Sequence, residues 1–377
     1  MSNNNTPSPF GEHALVAVDR AAGDLRRGLP VAVCAADDTA FLVLAAEGLT
    51  DARLNAFRNL DLGTPDLVLT PERAQTLAMR LYTGAVAFLP LEDVTRWTAQ
   101  RLEQLADPTC DLLNPLGGPY IARREAVPGP AEAAIKLAKL AKLLPAVLVL
   151  PLVAEAAHTI AAAQGYLTVN AQDVSAYDLA DAQALEAVTH ARVPMEGAED
   201  ARIFAFRPDH GGTEHFAIVV GKPKSPGPVL VRLHSECFTG DLLASLKCDC
   251  GDQLRGAIRL MGDEGEGIVL YLAQEGRGIG LINKLRAYQL QDQGFDTMEA
   301  NGRLGFEDDE RLFAPAAEML KRLGFTKIKL LTNNPEKVQG LEAHGVQVVE
   351  RVTHKFPPNP HNQSYLSVKK DKAGHDL

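Results

Sequence analysis

The chain has 377 residues, enough for two domains that each bury a sizeable core. Hydrophobic residues make up 46% and charged residues 23%, the balance of a globular protein, and no run of eighteen apolar residues argues for a membrane span. A formal charge of −10 argues against bulk nucleic-acid binding, although one phosphate pocket needs only a few local cations.

The N-terminus, MSNNNTPSPFGEHALVAVD, has no basic stretch ahead of an apolar core, so no secretory signal is expected. The cysteines are Cys34, Cys110, Cys237, Cys248 and Cys250, an odd set with three members inside fourteen positions. Such a set is a poor disulfide framework and fits metal binding in a reducing cytoplasm better.

In chain order, residues 1–12 are polar and rich in Asn, Ser and Pro, and are expected to be a disordered tail. A first domain is expected over 13–190. Helical periodicity marks Ala14 to Leu25, Pro71 to Tyr82 and Pro130 to Lys142; strand-like runs are PVAVCA (30–35) and PAVLVLPLV (145–153). Alternating strands and helices predict a layered α/β or α+β domain. Cys34, within an apolar run, reads as a buried structural thiol.

The segment 191–201, ARVPMEGAEDA, reads as a linker to a second domain over 191–377. ARIFAF and HFAIVV are strand-like, and a turn-like GKPKSPGP precedes VLVRLH (229–234), which predicts a small antiparallel sheet followed by alternating helices and strands. DQLRGAIRLMG is an amphipathic helix with Leu254, Ala257, Ile258 and Met261 on one face. GIVLYLA (267–273), KIKLL and VQVVE are strands. LINKLRAYQLQDQG (281–294) and RLFAPAAEMLKRLG are helices, with Pro315 confined to the first turns or a kink. Pro335 marks the start of another helix near N1.

Cys237, Cys248 and Cys250 form C-x10-C-x-C. Thiolates favour zinc, and three of them leave one tetrahedral position for water, with Gly251 helping the turn between the last two. A structural site completed by His234 or a distant histidine fits the same residues. In QEGRGIGLINKLRAY, Gly276, Gly278 and Gly280 follow a strand and open a helix beside Arg277, Lys284 and Arg286. The backbone there can hold an anion or simply form a tight turn. Arg277 suits a bidentate phosphate clamp. TNNPEK (332–337) is a second clamp or a plain N-cap, with Thr332 and Lys337 at a helix start. GFEDDERLF is a charged turn or a functional loop carrying Asp309 as acid/base and Arg311 as its partner. Tyr288 is a water-positioning or proton-donating group, or a core aromatic.

Together RLHSECFTGD, LKCDCGDQL, QEGRGIGLINKLRAYQLQDQG, GFEDDERLF, LLTNNPEKV and the tail NPHNQSYLSVKKDKAGH resemble GTP cyclohydrolase II over about 193–377. The resemblance implies a zinc ion on Cys237, Cys248 and Cys250, attack of water at C8 of the guanine imidazole, and release of formate and pyrophosphate. It further implies Asp309 as general acid/base, Arg311 as nucleophile or stabiliser at the α-phosphate, and Tyr288 at the ring-opening step. GTP-contacting positions would be Arg232, His234, Ser235, Glu236, Gln253, Glu275, Gly276, Arg277, Thr297, Thr332 and Lys337, with Glu275 facing the guanine N1–H and amino group. Magnesium on the triphosphate, a homodimer and an α+β or α/β fold with a C-terminal mixed sheet flanked by helices are also implied. The N-terminal half resembles 3,4-dihydroxy-2-butanone 4-phosphate synthase through LRRGLPVAVCAADD and GPAEAAIKLAKLAKLLPA. The family's DDEDREN stretch is reduced to Asp37 and Asp38, followed by Thr39, Ala40 and Phe41, and its catalytic histidine falls at Pro130. That pattern implies a synthase-like scaffold without synthase chemistry.

Overall fold

The computed structural model describes residues 14–93, 95–112, 118–125, 127–356 and 360. The expected disordered tail over 1–12 and most of the NPHNQSYLSVKKDKAGH motif lie outside the described residues. The chain forms two compact units, residues 1–177 and 178–377.

In the first unit, helices α1 (Ala14–Arg26), α2 (Asp51–Arg58), α3 (Pro71–Thr76), α4 (Ala99–Ala106), α5 (Ala131–Leu140) and α6 (Ala154–Gln164) accompany six strands. These are β1 (Val31–Cys34), β2 (Thr39–Ala45), β3 (Asp66–Leu69), β4 (Ala87–Pro90), β5 (Ala146–Val153) and β6 (Leu167–Asn170), in the order β4-β3-β5-β2-β1-β6. Only the β1–β6 pair is parallel. Thr50, Thr70 and Thr98 start α2, α3 and α4 alike: each hydroxyl accepts the N–H three residues on, which satisfies an otherwise orphaned donor. Leu25, Phe41, Val43, Val149 and Leu137 belong to one buried cluster that joins α1 and α5 to the sheet. Cys34 is buried in β1, as expected. The helix expected over Pro71 to Tyr82 stops at Thr76, because Ala78 turns to φ 54° just beyond it.

Helix α7 (Ala171–Gln183) leads into the second sheet. Its strands are β7 (Leu185–Arg192), β8 (Ala201–Pro208), β9 (His215–Val220), β10 (Val229–Ser235), β11 (Gly267–Leu272), β12 (Lys327–Leu331) and β13 (Gln347–Val352), and its helices are α8 (Cys250–Glu264), α9 (Leu281–Asp292), α10 (Thr297–Arg303), α11 (Ala314–Arg322) and α12 (Pro335–Ala343). The order is β13-β12-β10-β11-β9-β8-β7, antiparallel from β7 to β11 and parallel from β11 through β10 and β12 to β13. This is the mixed sheet with flanking helices that the resemblance implies, and the antiparallel strands read from the sequence form one half of it. The segment 191–201, read as an interdomain linker, instead joins β7 to β8 as a hairpin within the second unit. Its Pro194 and Gly197 serve a turn, where they equally suit a linker.

Successive residues of β10 point to opposite faces. Val229, Val231 and Leu233 join a cluster with Ala316, Ala317 and Leu320 of α11. Leu230 joins the other cluster, with Ala257, Ile258 and Met261 of α8, so the face of α8 expected from periodicity is the buried one. Arg232 and His234 therefore follow Leu230 on the α8 side, changing from apolar to polar where the strand ends. The chain passes from β10 to β11 on one side and then to β12 on the other. This reversal leaves a crevice at the carboxyl ends of the parallel strands, the usual ligand position in such sheets.

Candidate active site

Loops from the ends of β10, β11 and β12 line one cleft of about 1170 Å³, counting its open mouth. All the site residues expected from the sequence line it except Asp309. Among them, Ser235 and Glu236 lie at the end of β10, and Thr297 begins α10.

The three cysteines come together, with ligand sulfurs all within 4.8 Å of one another. The Cys237 and Cys248 sulfurs are 3.7 Å apart. Zinc–sulfur bonds of about 2.3 Å in a tetrahedron put sulfurs about 3.8 Å apart, so the spacing fits zinc. The backbone is shaped for this approach. A Cβ on Gly240 would lie 2.8 Å from the Cys248 sulfur and 2.9 Å from that of Cys237. Gly251 does not form the turn between Cys248 and Cys250; it lies in α8, where a Cβ would meet the Gly240 carbonyl at 2.2 Å.

Hydrogen bonds from Cys248 and Cys250, aided by the Lys284 ammonium, hold the Cys237 thiol far below its ordinary range. Cys248 and Cys250 are pushed up by hydrogen bonding to their ionised neighbour and by burial. One thiolate therefore forms readily, and ionising all three requires added positive charge, which a divalent cation supplies. Among the described residues the cluster of candidate metal ligands holds the three cysteines and not His234, whose Nε2 faces Asp241 at 3.0 Å and whose ring stacks on Tyr271. Burial lowers its pKa, against the pull of Asp241. Asp241 also accepts from the Cys237 N–H and the Tyr271 hydroxyl, both at 3.0 Å.

Beside the sulfurs, Tyr288 lies 3.5 Å from the Thr239 hydroxyl, and burial pushes its phenol up to about 12. Lys284, one turn earlier on α9, lies within bonding distance of Glu275, Cys237 and Thr239. Burial alone would lower its pKa, but Glu275 and Cys237 outweigh this and raise it. The Glu275 carboxylate is already engaged: Oε1 accepts from Lys284 and Gly276 N–H, and Oε2 from Phe238 N–H at 2.6 Å.

The cleft is also lined by cations. Arg232 is buried, bonded to the Leu331 carbonyl and to Gln253, and among the described residues its Nε has no partner. Burial pulls its pKa down to about 10, so it stays charged at neutral pH. Lys337 donates to the Leu233 carbonyl at 2.8 Å, and Thr332 Oγ1 accepts from Asn334 N–H at 3.1 Å. Asn334 caps α12, whose N-terminus opens on the cleft with Pro335 at its start as expected.

Arg311 lines the cleft with Asp309 behind it. Its Nε lies 2.7 Å from Asp309 Oδ1, and a second nitrogen bonds Oδ2. Burial would raise Asp309, but Arg311's hydrogen bonds and charge hold it below the ordinary carboxylate range. Arg277 has φ 60°, an uncommon conformation for a residue with a side chain and one that concentrates at functional sites. It bonds the Asp308 carbonyl, and its own carbonyl accepts from Glu310 N–H, which ties its loop to the Asp309–Arg311 loop.

Sequence reasoning left Lys247, Asp241 and Asn333 out of the site and named Lys284 only as a cation beside the glycine turn. Lys284 carries one readable signal: it precedes Tyr288 by four residues on a helix and so shares its face.

A GTP cyclohydrolase II family model matches residues 186–353. The GTP cyclohydrolase-2 of Azospirillum brasilense is 48% identical over 97% of this chain and 95% of its own length. That of Xylella fastidiosa strain Temecula1 is 37% identical over 98% and 90%. The riboflavin biosynthesis protein RibBA of Parabacteroides distasonis is 35% identical over 98% and 99%. With the cysteine cluster inside the matched segment, the chain belongs to the GTP cyclohydrolase II family, in the two-domain arrangement of RibBA with a synthase-like domain ahead of the cyclohydrolase domain.

Proposed function

We propose that the C-terminal domain hydrolyses GTP, opening the imidazole ring and releasing formate and pyrophosphate to leave 2,5-diamino-6-ribosylamino-4(3H)-pyrimidinone 5′-phosphate. The observation that carries this reading is one cleft lined both by three clustered thiols and by Arg232, Arg311 and Lys337. Cys237, Cys248 and Cys250 would hold zinc, which when bound supplies a Lewis acid that lowers the pKa of water towards neutrality.

The chain's own residues divide the remaining work. Tyr288, protonated at neutral pH, donates a hydrogen bond at the ring. Asp309 is ionised at neutral pH, so it accepts rather than donates a proton, and its two-oxygen grip fixes the Arg311 fork. A protonated guanidinium has no free lone pair, which favours charge stabilisation at the phosphates over nucleophilic attack. Arg232, Arg277, Thr332, Lys337 and the α12 N-terminus bind the triphosphate, whose magnesium offsets charge as part of the substrate. Ser235, Glu236, Gln253 and Thr297 complete the cleft wall around the nucleotide.

GTP labelled with ¹³C at C8 tests this reading: the label should leave as formate while pyrophosphate appears, and label retained in a purine product would refute it. Tyr288→Met is expected to keep consuming GTP while formate release falls and a formylated pyrimidine accumulates.

For the N-terminal domain we propose a scaffold without synthase activity. Asp37 is spent on a turn, accepting from the Thr39 hydroxyl at 2.6 Å, and Pro130 sits at the start of α5 with no side-chain cap bond. Incubation with ribulose 5-phosphate and magnesium should yield no dihydroxybutanone phosphate. An assembly role predicts a homodimer by light scattering. Among the described residues no helix is long and apolar enough to cross a membrane.

A further inference from the structure

We propose that Lys284 is a positioning residue of the metal loop, holding the Glu275 carboxylate and the Cys237 sulfur side by side and thereby fixing the turn that carries the first ligand. The inference rests on the metal reading above and concerns a side chain of this chain towards that site.

An ammonium has three N–H donors. Those of Lys284 face Glu275 Oε1 at 2.8 Å, Cys237 Sγ at 3.0 Å and Thr239 Oγ1 at 3.1 Å, which accounts for all three. The group thus has no donor to offer a substrate without surrendering a partner, so it acts through those partners. Glu275 in turn accepts from Phe238 N–H through its other oxygen. One ion pair therefore grips three consecutive residues: the side chain of Cys237, the backbone of Phe238 and the side chain of Thr239. The grip joins three separate segments, namely the loop after β10, the loop after β11 and α9.

Charge explains why a lysine is needed. The side chains of Lys284 and Glu275 are only 11% and 10% exposed. Without the ammonium, a nearly buried carboxylate would lose its ion-pair partner, and stranding a buried charge is strongly destabilising. The same arrangement bears on base recognition. A two-point clamp on guanine needs one free acceptor position on each carboxylate oxygen, and Oε1 already has two donors. In this geometry Glu275 shapes the metal loop in place of clamping the base. Groups outside the first coordination shell orient metal ligands, and their loss costs about 10- to 100-fold in metal affinity.

The test uses the full zinc-loaded chain and follows zinc release to an excess of a colorimetric chelator, alongside GTP kinetics. Lys284→Met is expected to release zinc about 10- to 100-fold faster than the parent. Its kcat should fall while KM for GTP stays within about threefold, because the ammonium does not touch substrate. Lys284→Met with Glu275→Gln should release zinc more slowly than Lys284→Met alone, since the stranded carboxylate is gone; loss of packing would leave the double variant no better. If Lys284→Met fails to fold by circular dichroism, Lys284→Arg decides, because a planar fork cannot reproduce the three-way ammonium contact and should also release zinc faster. Parental release rates in the single variants, a loss confined to KM, or no recovery in the double variant would each overturn the proposal. A parent chain that folds without taking up zinc would overturn the metal reading itself, and is visible before any variant is made.

Discussion

At the carboxyl ends of β10, β11 and β12 the chain presents cysteines, a glutamate, arginines and a helix N-terminus to one cleft. In the N-terminal unit, the turn after β1 presents Ala35, Ala36, Asp37 and Asp38, and the acids serve the turn: Asp37 bonds Thr39, and Asp38 takes φ 67°. Both units are helix-covered sheets with buried aliphatic strands, so the layers do not explain the difference. It lies in the residues at the strand ends. A sheet supplies positions at its edge, and chemistry appears only where those positions carry converging ionisable groups.

The sharpest break of this comparison is loss of one ligand. Cys248→Ser should lower formate release by about 1000-fold or more, the several kcal/mol a Lewis acid supplies, and lower zinc content measured by atomic absorption. An equal loss from a change at the N-terminal turn would erase the contrast.

His215 offers a difference in acid stability. It lies buried in β9, where Nδ1 accepts from Ala273 N–H, and burial lowers its pKa to about 4. As pH falls below the ordinary value near 6.5, the unfolded chain takes up the proton first. Folded stability is therefore lost progressively between about pH 6.5 and 4, by about 3 kcal/mol in full. Urea midpoints across that range should show the C-terminal unit weakening with acid, and His215→Asn should flatten the slope; an unchanged slope would contradict it.

A smaller effect separates the cations of the cleft from its thiols. Arg311→Ala should cut turnover by about 100-fold or more while zinc content stays at the parental level, because the Arg311 fork is bonded to Asp309. Smallest of all, Asp37→Ala should leave GTP turnover within about twofold of parent, as expected for an exposed turn residue that is not among those lining the cleft.

Much of this was legible along the chain. HFAIVV and KIKLL coincide with β9 and β12, since apolar runs between turn residues leave little choice. The strand β7 was not legible: LEAVTHAR is exposed after its first residue and shows no alternation towards a core. Neither was α10, a polar TMEANGR whose signal is the capping box of Asp296 and Glu299. The cysteine spacing announced a thiol cluster that could hold a metal ion, whereas the groups that hold its loop did not show. Asp241 and Lys284 gain their roles from partners on other strands and helices, and no local spacing encodes those pairings. Glu275 shows the same limit from the other side. Its place in the motif was readable, but its engagement by Lys284, Gly276 and Phe238 was not.

The central claim is that one cleft couples ring opening at the cysteine cluster to phosphate handling at the cationic wall. Zinc-loaded protein incubated with GTP and magnesium, beside Cys248→Ser, tests it most directly when formate and pyrophosphate are quantified in the same samples. The account predicts equal amounts of the two from the parent chain and no formate above background from the variant. Folded, zinc-loaded parent that binds GTP and releases no formate would contradict it.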